Sequence, residues 1–278
     1  MKRYFVECDG VKTRVNEWGD CNRPVIFCLH GLGSTGLSFI EVADALKEEF
    51  RIVSIDAPGH GKTQAFQDKE QYHFPSLCNW LNELLKILEI DEFFFLSHSW
   101  GSFVALYYLI HSSEKVRGSM LIDGGYQSKV LRGESRAEEI LYYEKDFEDD
   151  WESWEDFLTS AVYGEVKRRT PLLDLAAKDL ARMKEGKYYW HARGHTAGAI
   201  ISSMYEYELL DFYDEIPVTS LLLLRATLPS TDEDFKEHAS SIFRDKTNGT
   251  VKAISSTSHM LHWDDPHAVV EEIRMNWS

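Results

Sequence analysis

The chain has 278 residues and is 44% hydrophobic, enough for one large α/β domain with a full core and too apolar for a mostly disordered chain. Lys plus Arg is 30 and Asp plus Glu is 46, a formal charge of −16. A field of that sign repels phosphate, so nucleic acid and anionic membrane are not expected as partners.

The N-terminus starts basic, but Glu7 and Asp9 interrupt it before any apolar signal core can form. No apolar run approaches the ~18 residues of a membrane span. Cys8, Cys21, Cys28 and Cys78 form no C-x-x-C pair and no zinc spacing, and read as free thiols of a reducing compartment. A cytoplasmic location is expected. The sequence carries no signal for an oligomeric state.

In chain order, residues 4–8 and 11–18 flank Asp9-Gly10, a hairpin signal. Val25–Leu29 is a buried strand, residues 40–50 a helix, and Arg51–Ile55 the next strand. Leu77, Trp80, Leu81, Leu84, Leu85 and Leu88 recur at helical spacing after Pro75. Phe93–Leu96 is a strand, Phe103–His111 a helix, and Ser119–Ile122 another strand. From there to Tyr213 no strand pattern is expected. The stretch reads as helical, aromatic and acidic, with 11 Asp or Glu against 4 Lys or Arg in residues 127–160. Alternation resumes with a strand over Val218–Leu224, a helix near Asp232–Phe243, a strand over Thr250–Ser255 and a helix over His267–Trp277. Alternating strand and helix predicts a mainly parallel sheet flanked by helices. The helical block is too long for a loop. It predicts a cap, residues 127–213, inserted into a core of residues 1–126 and 214–278.

A buried strand runs directly into Ser97-His98-Ser99-Trp100-Gly101 and then a helix, the setting of a nucleophile elbow. The Ser at the tip is strained, so its neighbours two residues away must be small. Its hydroxyl then stands above the carboxyl ends of the strands, and the Trp100 amide at the helix start becomes an oxyanion donor. His30-Gly31-Leu32-Gly33 ends an earlier strand, where the tight turn frees the Leu32 amide as second donor. His259 follows the last strand and is the candidate base, ahead of His262. The orienting acid is open among Asp123, directly at a strand end, and Asp232 and Asp234, which follow Pro229 and resemble a helix start. His30 and Trp154 are expected at the substrate pocket, and His98, pointing the other way from the turn, as strand-end packing or pocket lining. Trp151, Phe157, Tyr188, Tyr189 and Trp190 join Trp154 as cap aromatics that either pack the cap or line an apolar pocket. Gly59-x-Gly61-Lys62 fails the P-loop spacing, and Asp56 in the same loop reads as structural.

These motifs, with Asp56–Lys62, Ile216-Pro-Val218 and His259–Pro266, resemble α/β-hydrolase-fold proteins over nearly the whole chain. The resemblance implies a capped serine hydrolase with a Ser99-His259-Asp triad and no metal or organic cofactor. It implies a small, neutral, partly apolar ester, lactone or amide as substrate. Ser99 stands where dehalogenases and epoxide hydrolases of the fold carry Asp. The Ser-Trp-Gly-Ser run is similar to the proline iminopeptidase elbow, but the remaining motifs of those enzymes are not evident. Three positions depart from the usual pattern. Ser97 replaces a Gly, Ser258 replaces the Gly before the His, and Pro229 lies about where the common acid sits. The last departure favours Asp123, a position shared with cofactor-independent quinolone dioxygenases of the same fold. The chain is similar to them in Ser97-His98-Ser99 too, which makes dioxygenation of a hydroxylated N-heterocycle the alternative reading. Trp100 and the His-Gly-Leu-Gly loop differ from the dioxygenase pattern and favour hydrolysis.

Overall fold

The computed structural model describes residues 1–164, 166, 168–217 and 220–277. Its strands are β1 (Lys2–Cys8), β2 (Val11–Trp18), β3 (Val25–Leu29), β4 (Arg51–Ile55), β5 (Phe93–His98), β6 (Val116–Ile122), β7 (Asp150–Trp151), β8 (Ala181–Lys184), β9 (Lys187–Trp190), β10 (Leu221–Ala226) and β11 (Thr250–Ile254). The longer helices are α1 (Ile40–Leu46), α2 (Phe74–Ile87), α3 (Trp100–Ser112), α4 (Arg136–Asp146), α5 (Pro171–Leu180), α6 (Gly194–Glu206), α7 (Glu233–Thr247) and α8 (Pro266–Trp277). Eight strands form one sheet in the order β1-β2-β4-β3-β5-β6-β10-β11. β2 pairs antiparallel with β1 and β4. All later pairings in that sheet are parallel.

Strand alternation divides the core into two layers. Phe27, Phe93, Phe95, Leu121 and Leu223 face α2, α3 and α7. Ile26, Phe94, Leu96, Met120, Ile122 and Leu224 face α1 and α8. Because both faces are covered, the central strands read as unbroken apolar runs. Their parallel order brings the carboxyl ends of β3, β5, β6, β10 and β11 to one edge, where the site is built.

Three expectations change. The helix read over residues 40–50 stops at Leu46, because the chain turns to enter β4 at Arg51; Phe50 stays buried without being helical. The strand read from Val218 is described from Leu221, and Val218 and Thr219 lie outside the described residues. The stretch read as purely helical holds a second sheet, β7-β9-β8. β8 and β9 form a hairpin over Glu185-Gly186, both at positive φ, with Lys184 opposite Lys187. Among the described residues no helix is long and apolar enough to cross a membrane.

Candidate active site

β5 passes into α3 through Ser99, whose backbone sits at φ 51, ψ −123. A non-glycine residue there is strained and is held only by its surroundings. The surroundings are tight. A Cβ at Gly101 would lie 2.4 Å from the Leu29 carbonyl oxygen, and one at Gly124 would lie 2.3 Å from the Ser99 carbonyl oxygen. Glycine is therefore required on both sides of the turn by close approach. Ser97 is tolerated where the pattern favours glycine because its hydroxyl is buried and donates to Ser102 Oγ at 3.1 Å. Ser258 is accommodated in a similar way, accepting from the Met260 amide at 3.2 Å.

The turn brings Ser99 Oγ to 2.9 Å from His259 Nε2. His259 Nδ1 lies 2.8 Å from Asp123 Oδ2. If Nδ1 carries the proton and donates it to the carboxylate, the Nε2 lone pair is free to accept the Ser99 hydroxyl. Asp123 follows β6 directly and is 1% exposed. Its second oxygen, Oδ1, accepts from the Tyr126 hydroxyl at 2.9 Å and from the Ala226 amide at 3.0 Å. Burial pushes the Asp123 carboxyl up, but the hydrogen bond and charge of His259 and the Ala226 amide more than offset this. The group lies below the ordinary carboxylate range.

Among the described residues, Asp123 is the carboxylate that His259 Nδ1 reaches. Asp232 lies on the wall of the same cavity, accepting from the Thr231 hydroxyl at 3.3 Å, and Asp234 is exposed in the first turn of α7. His262 is buried away from Ser99, its Nε2 sharing a hydrogen bond with Ser38 Oγ at 2.7 Å. Tyr126 and the Ala226 amide were not legible as partners of the acid. Gly124-Gly125 turns the chain so that a tyrosine three residues on folds back to Asp123, and no local pattern signals that return.

Leu32 and Trp100 border one cavity with Ser99 and His259. Neither amide has a protein acceptor among the described residues. The cavity has a volume of about 880 Å³. Its wall includes the apolar side chains of Leu32, Phe103, Phe147, Ile201 and Met204. The wall also carries Glu134, Glu138, Glu139, Asp146 and Asp232 against Lys129, Arg132 and Lys236. Lys129 is paired with Glu139.

The residues expected at the pocket are elsewhere. His30 is fully buried; its Nδ1 donates to the Gly31 carbonyl at 2.7 Å and its Nε2 accepts from the Ala57 amide at 2.9 Å. Both ring nitrogens are spent on the main chain, so this residue braces the loop rather than facing a ligand. His98 is buried beneath His259. Trp154 stacks on Phe157 and tilts against Tyr188. Its ring is taken up by the aromatic cluster of Trp151, Phe157 and Trp190, which packs within the insert and on the core. The aromatics between β6 and β10 that do border the cavity are Tyr142, Tyr143 and Phe147, from α4 and the residue after it.

The sequence pattern of the alpha/beta hydrolase fold family matches residues 24–266. The chain is 28% identical over 123 residues, 44% of its length, to an uncharacterized hydrolase of Saccharomyces cerevisiae, covering 42% of that protein. It is 31% identical over 126 residues, again 44% of its length, to a 3-hydroxybutyrate-oligomer hydrolase of Cupriavidus necator, covering 43% of that protein. In both cases the match spans less than half of the relative. The fold is similar to an E-2-(acetamidomethylene)succinate hydrolase, with a TM-score of 0.79 at 16% identity over 99% of this chain and 98% of the other. It is similar to a thioesterase domain from the curacin biosynthetic pathway, with a TM-score of 0.77 at 19% identity over 99% of each chain. With the strand order, the strained elbow and a match across most of its length in agreement, the chain belongs to the alpha/beta hydrolase fold family.

Proposed function

We propose that the protein is a serine hydrolase that cleaves a small, neutral, partly apolar ester, lactone or amide through an acyl-enzyme. The observation that carries this reading is the continuous chain Ser99–His259–Asp123, with heavy-atom separations of 2.9 and 2.8 Å, bordering a cavity with apolar side chains in its wall. Ser99 Oγ attacks the carbonyl carbon while His259 Nε2 takes its proton. The carbonyl electrons move to oxygen, which the Leu32 and Trp100 amides hold. Asp123, kept ionised beside the developing imidazolium, stabilises it and fixes the ring. Collapse of the adduct expels the alcohol or amine, which receives the proton from His259. Water, activated by the same imidazole, then releases the acid and frees Ser99.

The acids in the cavity lining oppose polyanionic substrates, while its apolar side chains suit a short acyl or aryl group. The residues between β6 and β10 supply α4 and α6 to that wall, and we read them as a cap over a core formed by the rest of the chain. Incubation with a fluorophosphonate followed by intact mass tests the reading. One adduct on Ser99, absent in Ser99→Ala, is expected. A folded protein that takes no adduct overturns it. The quinolone-dioxygenase alternative shares a His/Asp dyad with the acid after β6. Oxygen uptake with a 3-hydroxy-4-quinolone is expected to be absent, and uptake would replace hydrolysis with that chemistry.

A further inference from the structure

His98 plays no part in the chemistry above, yet it lies directly beneath it. The side chain is 2% exposed. Its Nε2–H donates to the main-chain carbonyl of His259 at 2.9 Å. Its ring centroid lies 4.8 Å from that of His259 and 4.5 Å from that of His262. Nδ1 is buried with no protein partner among the described residues, and a Cβ at Gly31 would approach it to 2.9 Å. The imidazole is thus enclosed on every side.

The loop that carries His259 has ties on both flanks. The Ser258 amide donates to Asp264 Oδ2 at 2.6 Å, and His262 and the Trp263 indole bond Ser38. At residue 259 itself, the main-chain hydrogen bond among the described residues is the one from His98.

We propose that His98 is a positioning residue, which through this hydrogen bond keeps His259 at bonding distance from Ser99. The proposal rests on reading Ser99 and His259 as nucleophile and base. His98 and Ser99 are consecutive, so one strand end carries the nucleophile and also the donor that holds the base. A movement of the elbow then carries both groups together and leaves their separation unchanged. Such coupling matters because a displacement of about 1 Å between reacting groups can cost on the order of 10²-fold in rate.

The role requires a proton on Nε2. The titratable groups facing His98 are His30, His259, His262 and Asp123. Burial, with His259 alongside, pushes its pKa down to about 3. His98 therefore donates as a neutral ring across the neutral range and adds no titration of its own to the pH profile there.

The test compares His98→Phe, which keeps a flat buried ring without a donor, with His98→Gln, which keeps a side-chain N–H. Folding is checked by circular dichroism. Turnover of a p-nitrophenyl ester, fluorophosphonate labelling rate and the NMR resonance of the proton between His259 Nδ1 and Asp123 are measured. In His98→Phe, kcat is expected to fall by about 10- to 100-fold with KM changed by less than about twofold. Labelling should slow in proportion and the Nδ1 proton should broaden or vanish. His98→Gln should recover kcat to within about fivefold of wild type and restore the resonance.

A folded His98→Phe with kcat within about threefold of wild type and an unchanged resonance overturns the proposal. So does a His98→Gln no better than His98→Phe, since ring shape and not the donor would then matter. If His98→Phe does not fold, His98→Asn replaces it, an amide one methylene too short to reach the carbonyl. It should fall below His98→Gln, and equality of the two overturns the proposal. If the wild type takes no adduct at Ser99, the nucleophile reading fails. The NMR comparison then decides alone whether His98 holds His259, an unchanged resonance in His98→Phe counting against it.

Discussion

Two buried carboxylates stand at strand ends of the same sheet, Asp56 after β4 and Asp123 after β6. Each accepts main-chain hydrogen bonds. Asp56 Oδ1 takes the Gly36 amide and Oδ2 the Lys62 amide, both at 2.9 Å. Asp123 Oδ1 takes the Ala226 amide and the Tyr126 hydroxyl, and its Oδ2 faces His259. Their acidities diverge. Burial raises Asp56 to about 6 despite its two amides, whereas His259 helps hold Asp123 below the ordinary range despite similar burial. Burial and a strand-end position are common to both, so neither makes a carboxylate an acid–base partner. What separates them is the imidazole hydrogen-bonded to Asp123; among the described residues Asp56 has no such partner, and the nearby charges of Arg3 and Asp179 act on it in opposite directions. Asp56 closes a loop, and Asp123 Oδ2 faces the His259 imidazole.

The largest expected effect asks whether the Asp123 end of the sheet is where chemistry happens at all. Ser99→Ala should lower turnover of a short p-nitrophenyl ester by about 10³-fold or more with the fold retained. Activity within about tenfold of wild type would empty the comparison of functional meaning. Next comes the pair itself. Asp123→Asn leaves His259 without a charged partner and without a fixed tautomer, so kcat should fall by about 10²-fold or more. Asp56→Asn, if folded, should keep kcat within about fivefold of wild type, since no reacting group touches it. Asp232→Asn and Asp234→Asn should each change kcat by less than about threefold, because the carboxylate that His259 reaches is Asp123. Stopped assays across pH rank all four, and a larger loss at Asp56 or Asp232 than at Asp123 would reverse the assignment.

A smaller effect separates the cavity wall from the aromatic cluster packed away from it. Phe147 borders the cavity and Trp154 does not. Phe147→Ala should shift the ratio of kcat/KM between longer and shorter acyl chains by roughly tenfold, the scale of one or two methylenes in an apolar pocket. Trp154→Ala should leave that ratio unchanged while lowering thermal stability, because it removes packing on Phe157. A matching ratio change in both variants would return Trp154 to the pocket.

The core was legible in the sequence because its strands are covered on both faces. Continuous runs such as Phe93–Leu96 have no other use in a chain of this size, and turn residues bound each of them. The elbow was legible because steric rules require small residues at 97 and 101, two positions either side of Ser99. The insert was less so. Strands of two or four residues leave no period to read, and α4 has no fully buried residue to mark a face. One local signal was present, Glu185-Gly186 between Lys184 and the run Lys187–Trp190, a hairpin turn beside aromatic strand formers. The pocket aromatics were misplaced for a related reason. Trp and Tyr serve packing and ligand contact with the same chemistry, and only three-dimensional placement distinguishes Trp154 from Phe147. His30 and His98 carried no sign that their ring nitrogens would be committed to main-chain groups.

The smallest effect is thermodynamic and has opposite signs at the two carboxylates. A carboxyl in an unfolded chain titrates near ~4. Folding lowers Asp123, so its ionised form contributes stability above that value, and the contribution is lost as pH falls through the lower folded value. Folding raises Asp56 to about 6, so its protonated form is favoured in the native state. Its contribution is fully present below ~4 and is lost as pH rises toward 6, because the unfolded chain gives up the proton first. Other carboxylates contribute slopes of their own, so each effect must be read as a difference between wild type and the Asn variant at the same pH. Denaturant midpoints for Asp56→Asn should gain on wild type between about pH 4 and pH 6, by roughly 1–3 kcal/mol in total. The gain is set against a fixed cost, since Asn offers one acceptor oxygen to two main-chain donors, Gly36 and Lys62, and one amide is left unpaired. Asp123→Asn should show the contrary trend, losing ground to wild type as pH rises toward ~4 from below. A pH-independent difference for Asp56→Asn would mean that two amides alone keep a buried carboxylate ionised. The presence of His259 would then no longer be what sets Asp123 apart.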